Sequence, residues 1–176
     1  MATVSYKNQP GIQASHGNVP LAGNAHAYTV HKVLWPEEVE RVIASEFVGY
    51  SLHVCCGLSH LGDVRLDLNQ PSADVRADAS KLPFVDGAFE TVLCDPPYNG
   101  KFQWNHDLLT ELSRVAQRRI IFQHWFMPTD KYGRYKKRNA FTLSRVYIWQ
   151  PKTYFGRVQV ISILDKAESP TLFQSA

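Results

Sequence analysis

Apolar positions along the chain fall into short runs separated by Gly, Pro, Asn and Asp, and the spacing within each run decides the element it predicts. Trp35-Pro36-Glu37-Glu38 reads as a helix start, because proline is tolerated in the first turn and acidic side chains there meet unpaired backbone N–H groups. Val39, Val42 or Ile43, and Phe47 continue as an apolar stripe at helical spacing, which Gly49 is expected to end. Ser51 to Cys55 then reads as a short strand entering the turn Cys56-Gly57-Leu58-Ser59-His60-Leu61-Gly62. Val64 to Leu68 is a second strand, broken by Asn69 and Pro71, and Asp74 to Asp78 a third. A full crossover helix takes about a dozen residues or more, so the connection between the first two strands predicts a helix that is short or absent.

Phe89 to Cys94 carries the strongest strand signal, starting after the Asp86-Gly87 turn and ending at Asp95-Pro96-Pro97-Tyr98. Proline cannot sit inside a sheet ladder, so the pair forces the chain off the sheet at that strand's carboxyl end. A helix is expected from His106 to Val115, with Leu108, Leu109, Leu112 and Val115 on one side. Arg119 to Gln123 is nearly all apolar, the pattern of a strand buried on both faces. Ser144 to Trp149 and Val158 to Leu164 close the pattern as a hairpin, with Pro151 to Gly156 at the bend. This order predicts an α/β domain whose sheet is mostly parallel with an antiparallel edge. The domain is expected over residues 31–165, between an N-terminal arm at 1–30, rich in Gly, Asn, Gln, Ser and His, and a tail at 166–176. The arm reads first as a flexible, poorly ordered segment, with an arm that folds over a ligand site as the alternative.

With 176 residues the chain accommodates one packed domain, and 44% hydrophobic against 20% charged residues fits an ordinary globular protein. A net charge of +3 is only mildly basic, but its distribution is uneven. Lys131, Arg134, Lys136, Lys137, Arg138, Arg145 and Lys152 follow one another with no acidic residue between. Such a run predicts a positive surface suited to phosphates. Cys55, Cys56 and Cys94 lie in or beside apolar runs and read as reduced thiols of a cytoplasmic protein. Met1 to His31 lacks the apolar core of a targeting segment, and no stretch approaches the roughly 20 apolar residues that span a bilayer.

Ligands of open α/β sheets bind beyond the carboxyl ends of the strands. Here Cys55-Cys56-Gly57, Asp67 and Asp78 occupy three such ends in succession. A glycine turn lets a bulky ligand approach the backbone, a carboxylate after the second strand suits a ribose diol, and Asp78 can accept from an adenine amino group. Each piece also has a plainer reading, Gly57 and Gly62 as a sharp turn and the aspartates as turn caps. A G-x-G-x-x-G pattern is absent, which argues against a nicotinamide or flavin cofactor. At the fourth strand end, Asp95 can accept one N–H of an exocyclic amine and the Pro96 carbonyl the second, stabilising positive charge as it develops on nitrogen. Tyr98 can stack on a base rotated out of its duplex. Cys56 and Cys94 read as packing residues and not as nucleophiles.

Leu93-Cys94-Asp95-Pro96-Pro97-Tyr98 resembles the DPPY motif of class I S-adenosylmethionine-dependent methyltransferases that modify adenine N6 or cytosine N4. The resemblance covers Ser51 to Tyr98 in the order of its features and implies a single Rossmann-like methyltransferase domain with a seven-stranded sheet whose last strand is antiparallel. It also implies S-adenosylmethionine as cofactor, held by Cys55, Cys56, Gly57, Asp67, Asp78, Ala79 and Leu82 or Phe84. Asp95, Pro96, Pro97 and Tyr98 would be the catalytic tetrapeptide. DNA is preferred to RNA as the target; an RNA base methyltransferase and a non-catalytic, nucleic-acid-binding or partner-stabilising subunit are the alternatives. Two departures from the family stand out: the glycine-rich loop is replaced by Cys56 to Gly62, and no room is left for a separate target-recognition region. Either the basic segment or a partner subunit would supply recognition.

That segment, Pro128 to Thr142, interleaves Lys131, Arg134, Lys136, Lys137 and Arg138 with Tyr132, Tyr135 and Phe141, a combination suited to phosphates and unpaired bases or simply to a solvated loop. His124 and Trp125 read as support for the substrate pocket or as core, and Asn99 to Phe102 as its edge. The histidines show no metal-site spacing, and the chemistry expected here uses no metal.

Overall fold

The computed structural model describes residues 35–97, 106–124, 141–149 and 159–166. The elements run α1 (Glu37–Ser45), β1 (Ser51–Val54), β2 (Val64–Asp67), β3 (Val75–Arg76), β4 (Phe89–Cys94), α2 (His106–Val115), β5 (Ala116–His124), β6 (Phe141–Trp149) and β7 (Gln159–Lys166). All seven strands join one sheet in the order β3-β2-β1-β4-β5-β7-β6. The pairs β1–β2, β1–β4, β2–β3 and β4–β5 are parallel, and β7 runs antiparallel to both β5 and β6. The antiparallel hairpin of β6 and β7 thus closes one edge of an otherwise parallel sheet, as the order of runs predicts.

The two faces are covered unequally. Leu52 and Val54, Val64 and Leu66, Val92 and Cys94, and Ile120 and Phe122 pack on Leu108, Leu112 and Val115 of α2. On the other face Leu93, Ile121, Ile161 and Ile163 meet Trp35, Val39 and Ile43 at α1. Central strands buried on both faces explain the unbroken apolar runs of β4 and β5. Complete burial of a side chain such as Ile43 is worth about 2 kcal/mol, which fixes α1 despite its short length.

α1 begins where Pro36 lends its carbonyl to Val39 N and Glu40 N at 2.9 and 3.0 Å. It stops at Ser45, short of Gly49, with Glu46 as its cap. The connection from β1 to β2, residues 55–63, carries no helix. Nor do the connections into β3 and β4, so loops take over the face coverage that crossover helices usually give. Leu61 packs against the α1 side, and Ala77, Ala79, Leu82 and Phe84 pack against the α2 side. Gly62 permits the first of these loops: at φ +92 it returns to β2 so close to β1 that a Cβ would come within 3.1 Å of the His53 Cβ.

Other boundaries differ from the sequence expectation by a few residues. β3 is only two residues long and lies at one edge of the sheet. β6 starts at Phe141, which is buried in the α2-side core, so this ring is a packing residue and not one of the base-stacking aromatics expected of the basic segment. β7 extends to Lys166, the first residue assigned to the tail. Among the described residues no helix is long and apolar enough to cross a membrane. The N-terminal arm and residues 167–176 lie outside the described residues.

Candidate functional site

The carboxyl ends of β1, β2 and β4 lie side by side, because β1 pairs with both neighbours. The ladder continues past the strands on each side: Cys56 N–H donates to Leu66 O at 3.1 Å, and Asp95 N–H to Val54 O at 3.3 Å. Cys55 turns the chain with φ 58, a left-handed conformation uncommon outside glycine, and Gly57 follows at φ +51. A Cβ at Gly57 would meet nothing within 4 Å, so the backbone there borders open space.

Asp67 holds this turn from the second strand. Its Oδ2 accepts the Gly57 N–H at 3.1 Å, and its Oδ1 accepts Asn69 N–H at 2.8 Å and Gln70 N–H at 3.0 Å. Turn capping and ligand binding are compatible, since an ionised carboxylate has about four acceptor directions and three are used here. Asp78 is exposed, and Ser80 occupies its Oδ1 through both the backbone N–H and the hydroxyl, each at 2.8 Å. Its Oδ2 has no partner among the described residues. Ala79 and Leu82 are buried beneath Asp78 in the core. Phe84 is buried in the same core.

At the fourth strand end Asp95 is half-buried, Pro96 buried and Pro97 exposed. Cys94 and Cys56 sit beside them but are held as neutral thiols. Burial pushes Cys56 up to about 12 and Cys94 well above the usual thiol range. Neither presents a thiolate near neutrality.

His124 ends β5 fully buried, its Nε2 2.8 Å from Ser162 Oγ and its ring stacked on Phe122, so it belongs to the sheet's packing. Tyr98, Asn99 to Phe102, Trp125, Lys131, Tyr132, Arg134, Tyr135, Lys136, Lys137 and Arg138 lie outside the described residues. Among those described, no group of three or more His, Cys, Asp or Glu side chains could hold a metal ion.

Several polar residues around the sheet escaped the sequence reading. His53, in the middle of β1, is completely buried, stacks on Trp35 with ring centroids 5.6 Å apart, and shares a 3.2 Å hydrogen bond between Nδ1 and Leu61 O. Burial lowers it to about 4, so it is neutral, and its Nε2 has no partner among the described residues. Trp35 Nε1–H donates to Gln123 Oε1, and Gln123 Nε2–H to Gln159 Oε1 at 3.0 Å, linking the approach to α1 with β5 and β7. Glu111 and Arg114 of α2 grip the loop after Asp78. Only their spacing, three apart on the flank of an apolar stripe, hinted at a shared partner.

No protein-family model matches the sequence, and no curated protein matches it. Solved structures do. A candidate methyltransferase from Bacillus halodurans superposes with a TM-score of 0.54 at 13% identity, over 75% of this chain and 99% of that one. The magnesium protoporphyrin IX methyltransferase of Synechocystis, solved with bound S-adenosylmethionine, gives 0.46 at 14% identity over 74% and 76%. A 16S rRNA adenine N1-methyltransferase from Catenulisporales acidiphilia gives 0.45 at 12% identity over 78% and 94%. The likeness to the Bacillus protein is one of fold. Together with the strand order, it gives this chain the Rossmann-like fold of that methyltransferase.

Proposed function

We propose that the chain transfers a methyl group from S-adenosylmethionine to an exocyclic amino group of a nucleic-acid base, adenine N6 or cytosine N4 in DNA before an RNA base. The observation that carries this reading is the juxtaposition of Asp95-Pro96-Pro97 with the Cys55–Gly57 turn, tied together through Asp95 N–H and Val54 O at 3.3 Å. An amine acceptor beside a turn whose backbone borders open space is what such a transfer requires.

The residues present fit an adenosyl ligand. Gly57 leaves its backbone accessible, Asp67 keeps one acceptor direction for a ribose hydroxyl, and Asp78 keeps Oδ2 for an adenine amino group. When bound, S-adenosylmethionine supplies an electrophilic sulfonium methyl group. The chain's own part is to orient the amine. Asp95 and the Pro96 carbonyl accept its two N–H groups, which draws the lone pair out of the ring's conjugation and stabilises the cation as nitrogen gains carbon. Nitrogen displaces the thioether S-adenosylhomocysteine as leaving group, and the cation then sheds one N–H proton to the Asp95 carboxylate, leaving a neutral methylated amine. Prolines at 96 and 97 keep the two acceptors from rearranging. Neutral Cys56 and Cys94 agree with direct transfer without a covalent enzyme intermediate.

Nucleic acid is favoured as the carrier by the basic segment Lys131, Arg134, Lys136, Lys137 and Arg138. It leaves β5 after His124, whose strand ends at the same sheet edge as Asp95. Phosphate contacts are assigned to it, and base contacts to Tyr98 and Trp125, as parts of this proposal. The helix-free β1–β2 connection favours a second reading, a subunit that binds nucleic acid or a partner without catalysis. Asp95→Ala separates the two. For the enzyme it lowers kcat by at least about 100-fold in protein whose folding is verified by circular dichroism, since it removes a transition-state acceptor. Turnover equal to wild type would refute the role of Asp95, and a wild type without transfer to any acceptor would favour the binding subunit.

A further inference from the structure

The connection from β3 to β4, residues 77–88, contains Asp78 and has no regular structure of its own, yet two side chains of α2 hold it by its backbone. Glu111 Oε2 accepts the Leu82 N–H at 2.8 Å, and Arg114 Nη2 donates to Leu82 O at 3.0 Å. Arg114 Nη1 reaches Phe84 O at 2.6 Å and Asp86 Oδ1 at 3.0 Å. The pair is locked to itself, Nε to Glu111 Oε1 at 2.8 Å and Nη2 to Glu111 Oε2 at 2.7 Å. Hydrogen bonding from Arg114 lowers the Glu111 carboxyl below its ordinary range, so both partners stay charged. Both main-chain groups of Leu82 are thereby fixed in direction. Packing of the Leu82 and Phe84 side chains alone, being non-directional, would not do this.

From Leu82 the constraint passes to Asp78 through one tight turn, Lys81 N–H to Asp78 O at 3.0 Å. Asp78 is the exposed end of the arrangement, with Oδ2 facing no described partner. We infer that Glu111 and Arg114 are positioning residues for adenine recognition, holding the loop so that Asp78 presents its acceptor to the amino group of the cofactor's base. The inference rests on the cofactor reading above. A loop already held in its binding geometry loses less entropy when the ligand arrives, so the clamp contributes to affinity without touching the ligand. It also contributes to base selectivity, because a directed acceptor discriminates against a base lacking the donor.

Calorimetry with S-adenosylhomocysteine and S-inosylhomocysteine tests this, since the second ligand carries a carbonyl where adenine carries the amino group. Wild type is expected to prefer the adenosyl ligand about tenfold or more. Glu111→Ala, with its folding checked by circular dichroism, is expected to bind that ligand about tenfold more weakly and the inosyl ligand only slightly more weakly, so that the preference collapses. Glu111→Gln keeps an acceptor for Leu82 N–H and should restore most of it. Arg114→Lys, which keeps the charge but cannot span Leu82, Phe84 and Asp86 together, is the second variant should Glu111→Ala unfold, with the same loss expected. A folded variant whose affinity and preference both match wild type overturns the inference, as does a wild type that binds both ligands equally. Wild type binding neither ligand would instead sink the cofactor reading itself.

Discussion

His53 shows how far one side chain can depart from its ordinary chemistry inside this sheet. Enclosed by β1, Trp35 and Leu61, it is neutral in the folded protein and titrates at about 4, against 6.5 when exposed. Between those values the unfolded chain binds a proton that the folded chain refuses. The contribution is therefore complete above the unfolded value and is lost as pH falls toward the folded one, on the order of 3 kcal/mol in all. Urea unfolding of wild type at about pH 7 and about pH 5 should show this loss, whereas His53→Asn, which keeps a donor for Leu61 O, should flatten the dependence. The same slope in both proteins would contradict the assignment. The carboxylates held below their ordinary range, among them Glu46, Asp74 and Glu111, release their contributions only at lower pH and do not confuse that window. Nothing in the alternation of Ser51 to Val54 announced this environment, because the groups that desolvate His53 come from Trp35 and from the far side of a turn.

Among the elements, α1 and β6 are distant in sequence and are joined by one acidic side chain. Glu46 accepts from Arg119 Nη1 at 3.0 Å, from Arg145 Nε and Nη2 at 2.9 and 2.8 Å, and from Tyr147 OH at 2.6 Å. Burial alone would raise its carboxyl, but the bonds from Arg145 and Tyr147 and the nearby charges of Arg145 and Arg119 carry it below the usual range. Asp165 meets Arg119 from β7 at 2.6 Å and is more exposed. Glu46→Ala is expected to lower the thermal midpoint more than Asp165→Ala does, because it removes a buried carboxylate bonded by Arg119, Arg145 and Tyr147, whereas Asp165 is more exposed and bonds Arg119 with only a longer approach to Arg145. The reverse order would mean that α1 is held by Val39 and Ile43 alone. Elements with a continuous apolar signal were legible beforehand: β4 and α2 have the bounds expected of them, and β5 was recognised as doubly buried. β3, the early stop of α1 and the start of β6 at Phe141 were not, since each depends on which partner strand or cap is available and not on the local run.

At the scale of the whole molecule, a seven-stranded, mostly parallel sheet is maintained with loops in place of crossover helices between β1 and β4, each loop fixed by a few directed bonds. Asp67 to Gly57, Glu111 and Arg114 to Leu82, and Arg65 to Asp74 at 3.1 Å are such bonds. Asp67, Asp78 and Asp95 could be picked out beforehand because strand ends in an open parallel sheet converge on one edge, so that topology alone makes neighbours of residues spread along the chain. The clamp behind Asp78 could not, because it requires knowing which loop α2 covers. Sequence pattern therefore placed the three aspartates at neighbouring strand ends, while the bonds that hold their loops emerged only from the packing. Labelled methyl transfer from S-adenosylmethionine to duplex DNA, single-stranded DNA, structured RNA and protein, followed by nucleoside mass analysis, tests the central claim most directly. The account predicts label on the exocyclic nitrogen of a base, adenine N6 or cytosine N4. Label confined to protein, to a ring carbon or to the ribose, or no label from folded protein on any of the four, would contradict it.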